Sequence, residues 1–475
     1  MKREKLFISI VVLLLLTCLI AGTGYVVLNQ EQQDPFYVGV TYCGNSVQEA
    51  KELIDQVKDC TNLFILQSGL LQYDVAAMEE IGDYVITSNL SYAVYGGTRN
   101  MVVSNTWLNS AKIRWGEQFI GVYYNDEVGG YMLDKNVFLE TTQQITNITT
   151  AIPKIEKTEE GTIIIYNYNT NQNDNQTPIV TTTYWPDGKI VTENSNELIT
   201  YYPNGTITIF EKRNNNFYTT QQQNITKYPN QIQPYVKLLE QNPVQTYDDA
   251  ANAYVNMNKN LLEEINNTQL NENQITVFTS DYGLYWWDYQ SGYDLVLAEI
   301  AWNNSLTQEI ALSRGAANMQ NKEWGVIITW KYTHPPYLTS GAEMYQQMKT
   351  SYEAGAQYVI IFNYSEDPQN HNTLQDEHLQ ALKHFWNGIV QNSDIIHGSI
   401  KAEAVLVLPQ NYGWGMRNSN DTIWGIWSTD DVSQEIWSQM QHKTDQYGLK
   451  MDIVFEDPNY LVMWKYNQIY YWSEK

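Results

Sequence analysis

The sequence is short of cysteine and of basic residues, and each shortage excludes a class of protein. Three cysteines stand among 475 residues, and no CxxC pair occurs. A disulfide framework and a zinc knuckle are therefore excluded. Lys and Arg together number 28 against 53 Asp and Glu, which gives a formal charge of −25. Because such a charge repels a phosphate backbone, we expect no nucleic-acid partner.

Motifs for nucleotides and catalytic metals are missing as well. The chain has no P-loop, HExxH or GxSxG motif, and no GxGxxG follows a predicted strand. Of six histidines, His378 falls on the packed face of a predicted helix rather than in a ligand cluster. We therefore expect neither a metal nor a nucleotide cofactor.

Long apolar runs are absent except at the N-terminus. Leu6–Leu28 follows a basic start and contains 23 residues without a charge. As a helix it would measure about 34 Å, enough to cross a hydrocarbon core of roughly 30 Å. Residues 1–29 are thus predicted to be a single-pass cell-membrane anchor with the bulk of the chain extracytoplasmic. Ala21–Gly24 also fits a cleavage site, so a secreted protein is the alternative. Nine Asn-x-Ser/Thr sequons are compatible with an extracytoplasmic glycoprotein.

Eight short, nearly continuous apolar runs predict buried parallel strands. Amphipathic helical patterns lie between most of them, and this alternation is typical of βαβ units. The predicted fold is an α/β (β/α)₈ barrel of the TIM type, formed by residues 36–134 and 244–393, close to the usual ~250 residues. A doubly wound open sheet is the competing fold. The predicted strands are Tyr37–Tyr42, Leu63–Gln67, Tyr92–Tyr95, Phe119–Tyr124, Thr276–Thr279, Leu295–Ala301, Gly325–Trp330 and Tyr358–Asn363.

Two further regions differ from the barrel in texture. Residues 135–243 alternate polar and apolar positions, and Tyr184–Ile190 recurs as Tyr201–Ile207, each time with a Pro-Asp-Gly or Pro-Asn-Gly turn. We interpret this region as a β-meander domain inserted after the fourth strand. Residues 398–475 predict a small C-terminal α/β domain. Its predicted elements are strands Ala404–Leu408 and Met451–Phe455, a helix Asp431–Tyr447, and a hairpin of Leu461–Lys465 with Gln468–Trp472.

Function in such a barrel lies at the carboxyl ends of the strands, where this sequence interleaves acids with Trp and Tyr. Aromatic rings pack on sugar C–H faces, and carboxyl or amide groups bind sugar hydroxyls. Glycoside cleavage needs two carboxyl groups, an acid and a nucleophile or base. We choose Glu127 and Glu299, with Asp126 and Asp281 as substitutes. The candidates for substrate binding are Arg99, Tyr124, Asn125, Trp286, Trp287, Asp288, Trp302, Trp330, Lys331 and Tyr364.

The end of the fourth strand, Asn125-Asp126-Glu127, resembles the Asn/Asp-Glu pair that places the acid/base in many (β/α)₈ glycoside hydrolases. The commonest such pattern has its nucleophile on strand seven, where this chain has Trp330-Lys331. The nucleophile is then expected on strand six or five, or in the substrate itself.

These features predict a membrane-anchored extracytoplasmic enzyme of the glycoside hydrolase type, with a polysaccharide or other glycan as its partner. The alternative is a non-catalytic surface protein that binds glycan or protein on the same barrel. In that case the acids would cap helices or pair with Arg99 and Lys331.

Overall fold

The computed structural model describes most of the two barrel segments, the strands of the insertion and most of the C-terminal region. The described residues are 35–97, 103–135, 154–157, 163–167, 180–184, 189–194, 197–201, 206–213, 216–224, 246–266, 275–302, 304–367, 371–392, 394–462 and 465–473.

The strands and helices of these residues are numbered in chain order. The strands are β1 (Tyr37–Tyr42), β2 (Leu63–Leu66), β3 (Ser91–Gly97), β4 (Phe119–Tyr124), β5 (Lys154–Lys157), β6 (Ile163–Asn167), β7 (Val180–Tyr184), β8 (Ile190–Asn194), β9 (Glu197–Tyr201), β10 (Thr206–Arg213), β11 (Asn216–Asn224), β12 (Thr276–Asp281), β13 (Leu295–Ile300), β14 (Glu323–Ile328), β15 (Tyr358–Ile361), β16 (Ala404–Leu408), β17 (Met451–Phe455) and β18 (Gln468–Tyr471). The α-helices are α1 (Val47–Val57), α2 (Val75–Thr87), α3 (Asn105–Trp115), α4 (Val128–Lys135), α5 (Tyr247–Asn266), α6 (Tyr285–Ser291), α7 (Leu306–Gln320), α8 (Gly341–Glu353), α9 (Asp376–Phe385) and α10 (Asp431–Tyr447).

The first four strands and β12–β15 close into a parallel barrel with the order β1-β15-β14-β13-β12-β4-β3-β2. Strands such as β4 and β13 are buried at every position. One face of each strand fills the barrel and the other lies under the helices, which is why the apolar runs are continuous. The closed barrel confirms the predicted fold and excludes the open doubly wound sheet.

Four of the helices around the barrel, α1, α2, α3 and α8, begin at side-chain caps and bury one face. In α1, Ser46 accepts a hydrogen bond from the backbone N–H of Glu49, and Leu53 and Ile54 are buried. This helix separates Cys43 from Cys60, and both cysteines are free thiols.

The inserted segment between β4 and β12 contains a seven-stranded antiparallel sheet in the order β11-β10-β9-β8-β7-β6-β5. The two copies of the short repeat fall on two hairpins, β7 with β8 and β9 with β10. The meander predicted from the alternating pattern is therefore observed, and the domain boundaries at 135 and 243 stay a prediction.

The C-terminal sheet has the order β17-β16-β18, and both neighbours of β16 run parallel to it. The predicted terminal hairpin is wrong: Leu461, Val462 and Lys465 are not in a strand, and β18 pairs with β16 at the edge opposite β17. Arg314 of α7 joins the barrel to this sheet, with its Nε 2.7 Å from Oδ1 of the fully buried Asp452.

The predicted membrane anchor at Leu6–Leu28 lies outside the described residues. Within the described part of the chain, no helix combines the length and the apolarity that a membrane crossing requires.

Candidate active site

The carboxyl ends of β4, β12 and β13 meet at one side of the barrel mouth. The backbone N–H of Glu127 donates to the carbonyl of Ser280 over 3.0 Å, and the Thr279 hydroxyl donates to the carbonyl of Asn125 over 2.7 Å. In the register of β12 with β13, Asp281 lies beside Ala298, one residue before Glu299. The parallel register thus brings the acids that follow three strands to one place.

The chain leaves β4 through an unusual backbone conformation. Asn125 has φ of 62° and Glu127 has φ of 54°. Asn tolerates this left-handed region, whereas Glu adopts it rarely, and such outliers cluster at functional sites. The half-buried Glu127 lies in this turn, immediately before α4 begins at Val128.

Two hydroxyl groups and two carboxyl groups form a hydrogen-bonded cluster at the end of β12. The Ser280 Oγ lies 2.5 Å from Glu299 Oε1, 2.8 Å from Asp126 Oδ1 and 2.7 Å from the Tyr123 hydroxyl, which also contacts Asp126. The two hydroxyl groups supply two protons, but the cluster has four oxygen–oxygen contacts, each of which needs a proton to be a hydrogen bond. The cluster therefore favours a proton on a carboxyl group, and burial raises the pKa of both Asp126 and Glu299.

Glu127 and Glu299 are in hydrogen-bonding contact. Burial, followed by the charges of Asp126 and Asp281, raises the pKa of Glu127 to about 8. Burial, followed by the charge of Glu127, raises the pKa of Glu299 well above its usual range. Two carboxyls so close titrate as one unit. The pair therefore retains a proton at neutral pH.

A second carboxyl pair, Asp281 and Asp288, lies sealed beneath the first, with neither residue exposed to solvent. Asp281 accepts hydrogen bonds from the backbone N–H groups of Gly129, Gly130, Tyr282 and Gly283. It thereby caps the start of α4. Burial raises the pKa of Asp281 to about 7, while the backbone N–H groups lower it.

Asp288 completes this second pair. It hydrogen-bonds to Asp281 and accepts the Tyr254 hydroxyl over 2.5 Å. Burial and the charge of Asp281 raise the pKa of Asp288 strongly, so Asp288 carries the proton that the pair shares.

The two tryptophans predicted as sugar platforms are packed inside the protein. Trp286 is 3% exposed and Trp287 is 1% exposed. Trp287 contacts Phe455 and Trp424 with ring centroids 4.5 and 4.6 Å apart, and Trp286 contacts Phe455 at 5.9 Å. These rings hold α6 against the C-terminal region. Neither offers an open face, so the structure does not support the platform role.

The remaining aromatic candidates line the other side of the mouth, beyond β13. Trp302 is 48% exposed. Trp330 and Tyr364 are half-buried and stack with centroids 5.7 Å apart and an interplanar angle of 3°. Trp302, Lys331 and residues 332–336 surround an open groove of about 600 Å³.

Three other candidates have different outcomes. Tyr124 is fully buried in the barrel, and Asn125 is buried beside Tyr293, to which its side chain hydrogen-bonds. Arg99 lies outside the described residues.

Among the described residues, no group of three or more His, Cys, Asp or Glu is arranged to hold a metal ion.

Sequence reasoning missed the hydroxyl residues that connect the acids. Ser280 and Tyr123 lie on different strands, 157 residues apart in the chain, and only the pairing of β4 with β12 brings them together. Cys43, after β1, also lies near Asp126, and burial raises the pKa of its thiol to about 12. The signal for Ser280 was its place immediately before Asp281 at a strand end.

No family model and no curated protein matches the chain. Among solved structures, it is similar to a D-allulose 3-epimerase from Methylomonas sp. at 9% identity and a TM-score of 0.32, over 74% of this chain and 96% of the other. It is also similar to an endo-1,4-beta-mannanase from Rhizomucor miehei at 7% identity and a TM-score of 0.34, over 77% and 97% of the two chains. At these values the likeness carries no inference about chemistry.

Proposed function

We propose that this protein is a sugar-acting barrel enzyme, specifically a glycoside hydrolase that uses Glu127 and Glu299. The observation that carries the proposal is the contact between these two carboxyls at the barrel mouth, with the pKa of each raised. The ion pairs found among the described residues involve neither side chain. This argues against a purely salt-bridging role.

Glu127 is the better-placed general acid. It is half-buried and faces the mouth, so an incoming glycosidic oxygen meets it before Glu299, which is 6% exposed. The pKa of about 8 keeps a proton on the pair at neutral pH. General acid catalysis is most effective when the pKa lies near the working pH.

Glu299 is assigned as the base or nucleophile. The Ser280 hydroxyl donates to it over 2.5 Å, which fixes its orientation. In the closed pair the shared proton lies on Glu299, because the contact with Glu299 lowers the pKa of Glu127 while the charge of Glu127 raises that of Glu299. We propose that this proton passes to Glu127 as the pair opens, which leaves Glu299 ionised. As Glu127 gives its proton to the leaving-group oxygen it becomes the carboxylate, while the ionised Glu299 either bonds to the sugar carbon or takes a proton from the attacking water. Asp126 shares the Ser280 hydroxyl, and its charge raises the pKa of Glu299.

The contact between Glu127 and Glu299 must open before a sugar can bind between the two carboxyl groups. Catalytic carboxyls lie about 5–5.5 Å apart in retaining enzymes and about 6.5–9.5 Å apart in inverting ones. A hydrogen-bonded pair is closer than either. Ser280 fixes Glu299, so we propose that the Glu127 side chain rotates away as a sugar enters.

The same close contact favours one alternative, a barrel that binds glycan without cleaving it. In that case the pair would stay closed, and the exposed groove beside Trp302 would be the whole site. Hydrolysis separates the two functions directly.

The test is a screen of the full-length protein against a panel of polysaccharides, with release of reducing ends as the readout. Glu127→Gln should abolish the release, because Gln cannot donate the proton. Glu117→Gln is the matched control: its side chain is 90% exposed, and it precedes β4 at the opposite end of the strand. No release by the unmodified protein, or equal release by both variants, would refute the hydrolase.

We also propose that Leu6–Leu28 anchors the enzyme in the cell membrane with its barrel outside. The support is the length and charge pattern of that segment. Fractionation of cells that express the full chain tests this: recovery of the intact protein in the soluble fraction would contradict the anchor.

A further inference from the structure

The open groove is lined by residues that follow β13, the strand that carries Glu299, and β14, its neighbour in the barrel. Trp302 stands three residues after Glu299, and its backbone N–H donates to the carbonyl of Trp330 over 3.0 Å. The loop that follows β14 forms the other wall with Lys331, Tyr332 and the two prolines at 335 and 336. A chain that passes over Glu299 would continue into this groove.

The walls of the groove present apolar faces to solvent. Trp302 is 48% exposed and Tyr332 is 46% exposed. Exposed rings that lie together in one groove mark a contact site, and ring faces suit the C–H faces of sugars.

The positive charge of Lys331, which lines the groove, is neutralised by an ion pair. Lys331 lines the groove, but its Nζ lies 2.7 Å from each of the two carboxylate oxygens of Glu343. Glu343 is held in the first turn of α8, where its backbone N–H donates to Ser340. The Lys331 backbone is held in turn by the carbonyl of Tyr337 over 2.8 Å.

We infer that this groove binds an uncharged glycan chain, and that Glu343 determines this specificity by neutralising Lys331. An anionic chain would meet a lysine whose charge is already paired, next to a cluster of carboxyls that repels it. An uncharged chain needs only the rings and the hydrogen-bonding groups. The inference deepens the proposed function, since it names the substrate class for the same mouth.

Equilibrium binding of two matched probes to the full-length protein tests the inference. The probes are a fully methyl-esterified oligogalacturonide and its de-esterified form, which share one backbone and differ in charge. All measurements use protein that carries Glu127→Gln, so that no probe is consumed. The Glu127→Gln protein should prefer the esterified form.

Adding Glu343→Gln should strengthen binding of the de-esterified probe about threefold to fivefold, because Lys331 is then unpaired. The matched control is Glu353→Gln. Glu353 lies at the far end of the same helix and also pairs with a lysine, Lys349, at 3.6 Å. Both variants lose one negative charge, so the control removes the effect of net charge.

The variant Trp302→Asn tests whether the probes bind in the groove. Asn accepts the left-handed φ of 48° at this position, and the ring is half-exposed, so folding should be preserved. Weaker binding of both probes is expected. Unchanged binding in Trp302→Asn would overturn the inference. So would equal effects of Glu343→Gln and Glu353→Gln, or preference of the Glu127→Gln protein for the charged probe.

The polysaccharide screen and the binding measurements test the two proposals independently. Absence of hydrolysis in the polysaccharide screen would refute the enzyme but leave the charge preference of the groove standing, since binding is measured without turnover.

Discussion

The two carboxyl pairs at the barrel mouth are made of the same groups but have different surroundings. In the sealed pair, Asp281 has its oxygens occupied by backbone N–H groups, and Asp288 is fixed by Tyr254. In the open pair, Glu127 is half-buried, and Glu299 accepts a hydrogen bond from Ser280 and donates one to Glu127. Both pairs hold a proton because burial disfavours two adjacent charges.

The comparison teaches that a raised pKa does not identify a catalytic acid by itself. The pKa of Asp281 is raised, yet its carboxyl oxygens accept hydrogen bonds from the backbone that follows Glu127. Glu127 and Glu299 can still bind a ligand, whereas Asp281 and Asp288 hold the backbone of the turn in place. Each of the following predictions separates these two roles.

The largest effect is expected for the open pair. Glu299→Gln should lower kcat by about 10²–10⁴-fold, since the base or nucleophile is lost. The melting temperature should stay the same or rise, because a buried carboxyl with unfavourable neighbours is removed. Azide should restore turnover in Glu299→Ala, where a small anion fits. Normal kcat in Glu299→Gln would remove this residue from the mechanism.

Another buried carboxyl residue, Asp452, forms an ion pair with Arg314. Arg314→Met leaves Asp452 unpaired and should reduce the free energy of unfolding by about 3–5 kcal/mol. Urea denaturation measures the change. The double variant Arg314→Met with Asp452→Asn should recover part of the loss, and a double variant no more stable than the single one would contradict the pairing.

Within the sealed pair, the two residues should respond differently. Asp281→Asn replaces one acceptor by an N–H₂ group that faces backbone N–H groups, and should cost about 1–3 kcal/mol. Asp288→Asn is the matched control. Asn reproduces a protonated carboxyl, donating to Asp281 and accepting from Tyr254, so stability should change little. Equal losses in thermal denaturation would show that the proton is not on Asp288.

The last prediction concerns the change of stability with pH. The pKa values of Glu127 and Asp281 are raised to about 8 and about 7. The folded state therefore binds protons that the unfolded chain has released, so this contribution is full below about pH 4 and is lost as pH rises through about 7–8. The slope is about 1.4 kcal/mol per pH unit for each proton. Calorimetry should show a melting temperature that falls over this window, less steeply in Glu127→Gln. An equal slope in that variant would contradict the raised pKa.

Much of the fold could be predicted because its signals are local. Continuous apolar runs and the helices between them indicate parallel strands buried on both faces, and eight of them close a barrel. The terminal hairpin failed because Gln468–Tyr471 pairs with a strand some 60 residues earlier in the chain. Strand partners at that separation leave no mark in local sequence.

The sequence by itself determined the barrel, the acidic charge and the placement of Glu127 and Glu299 at strand ends, because strand direction alone sends those ends to one face. Only the tertiary structure decided which acids touch, that Ser280 joins Glu299 to Asp126, and that Glu343 neutralises Lys331. It also decided that Trp286 and Trp287 are packing residues rather than platforms. The pKa of a carboxyl and the exposure of a ring depend on neighbours within a few ångströms, and those neighbours come from distant parts of the chain.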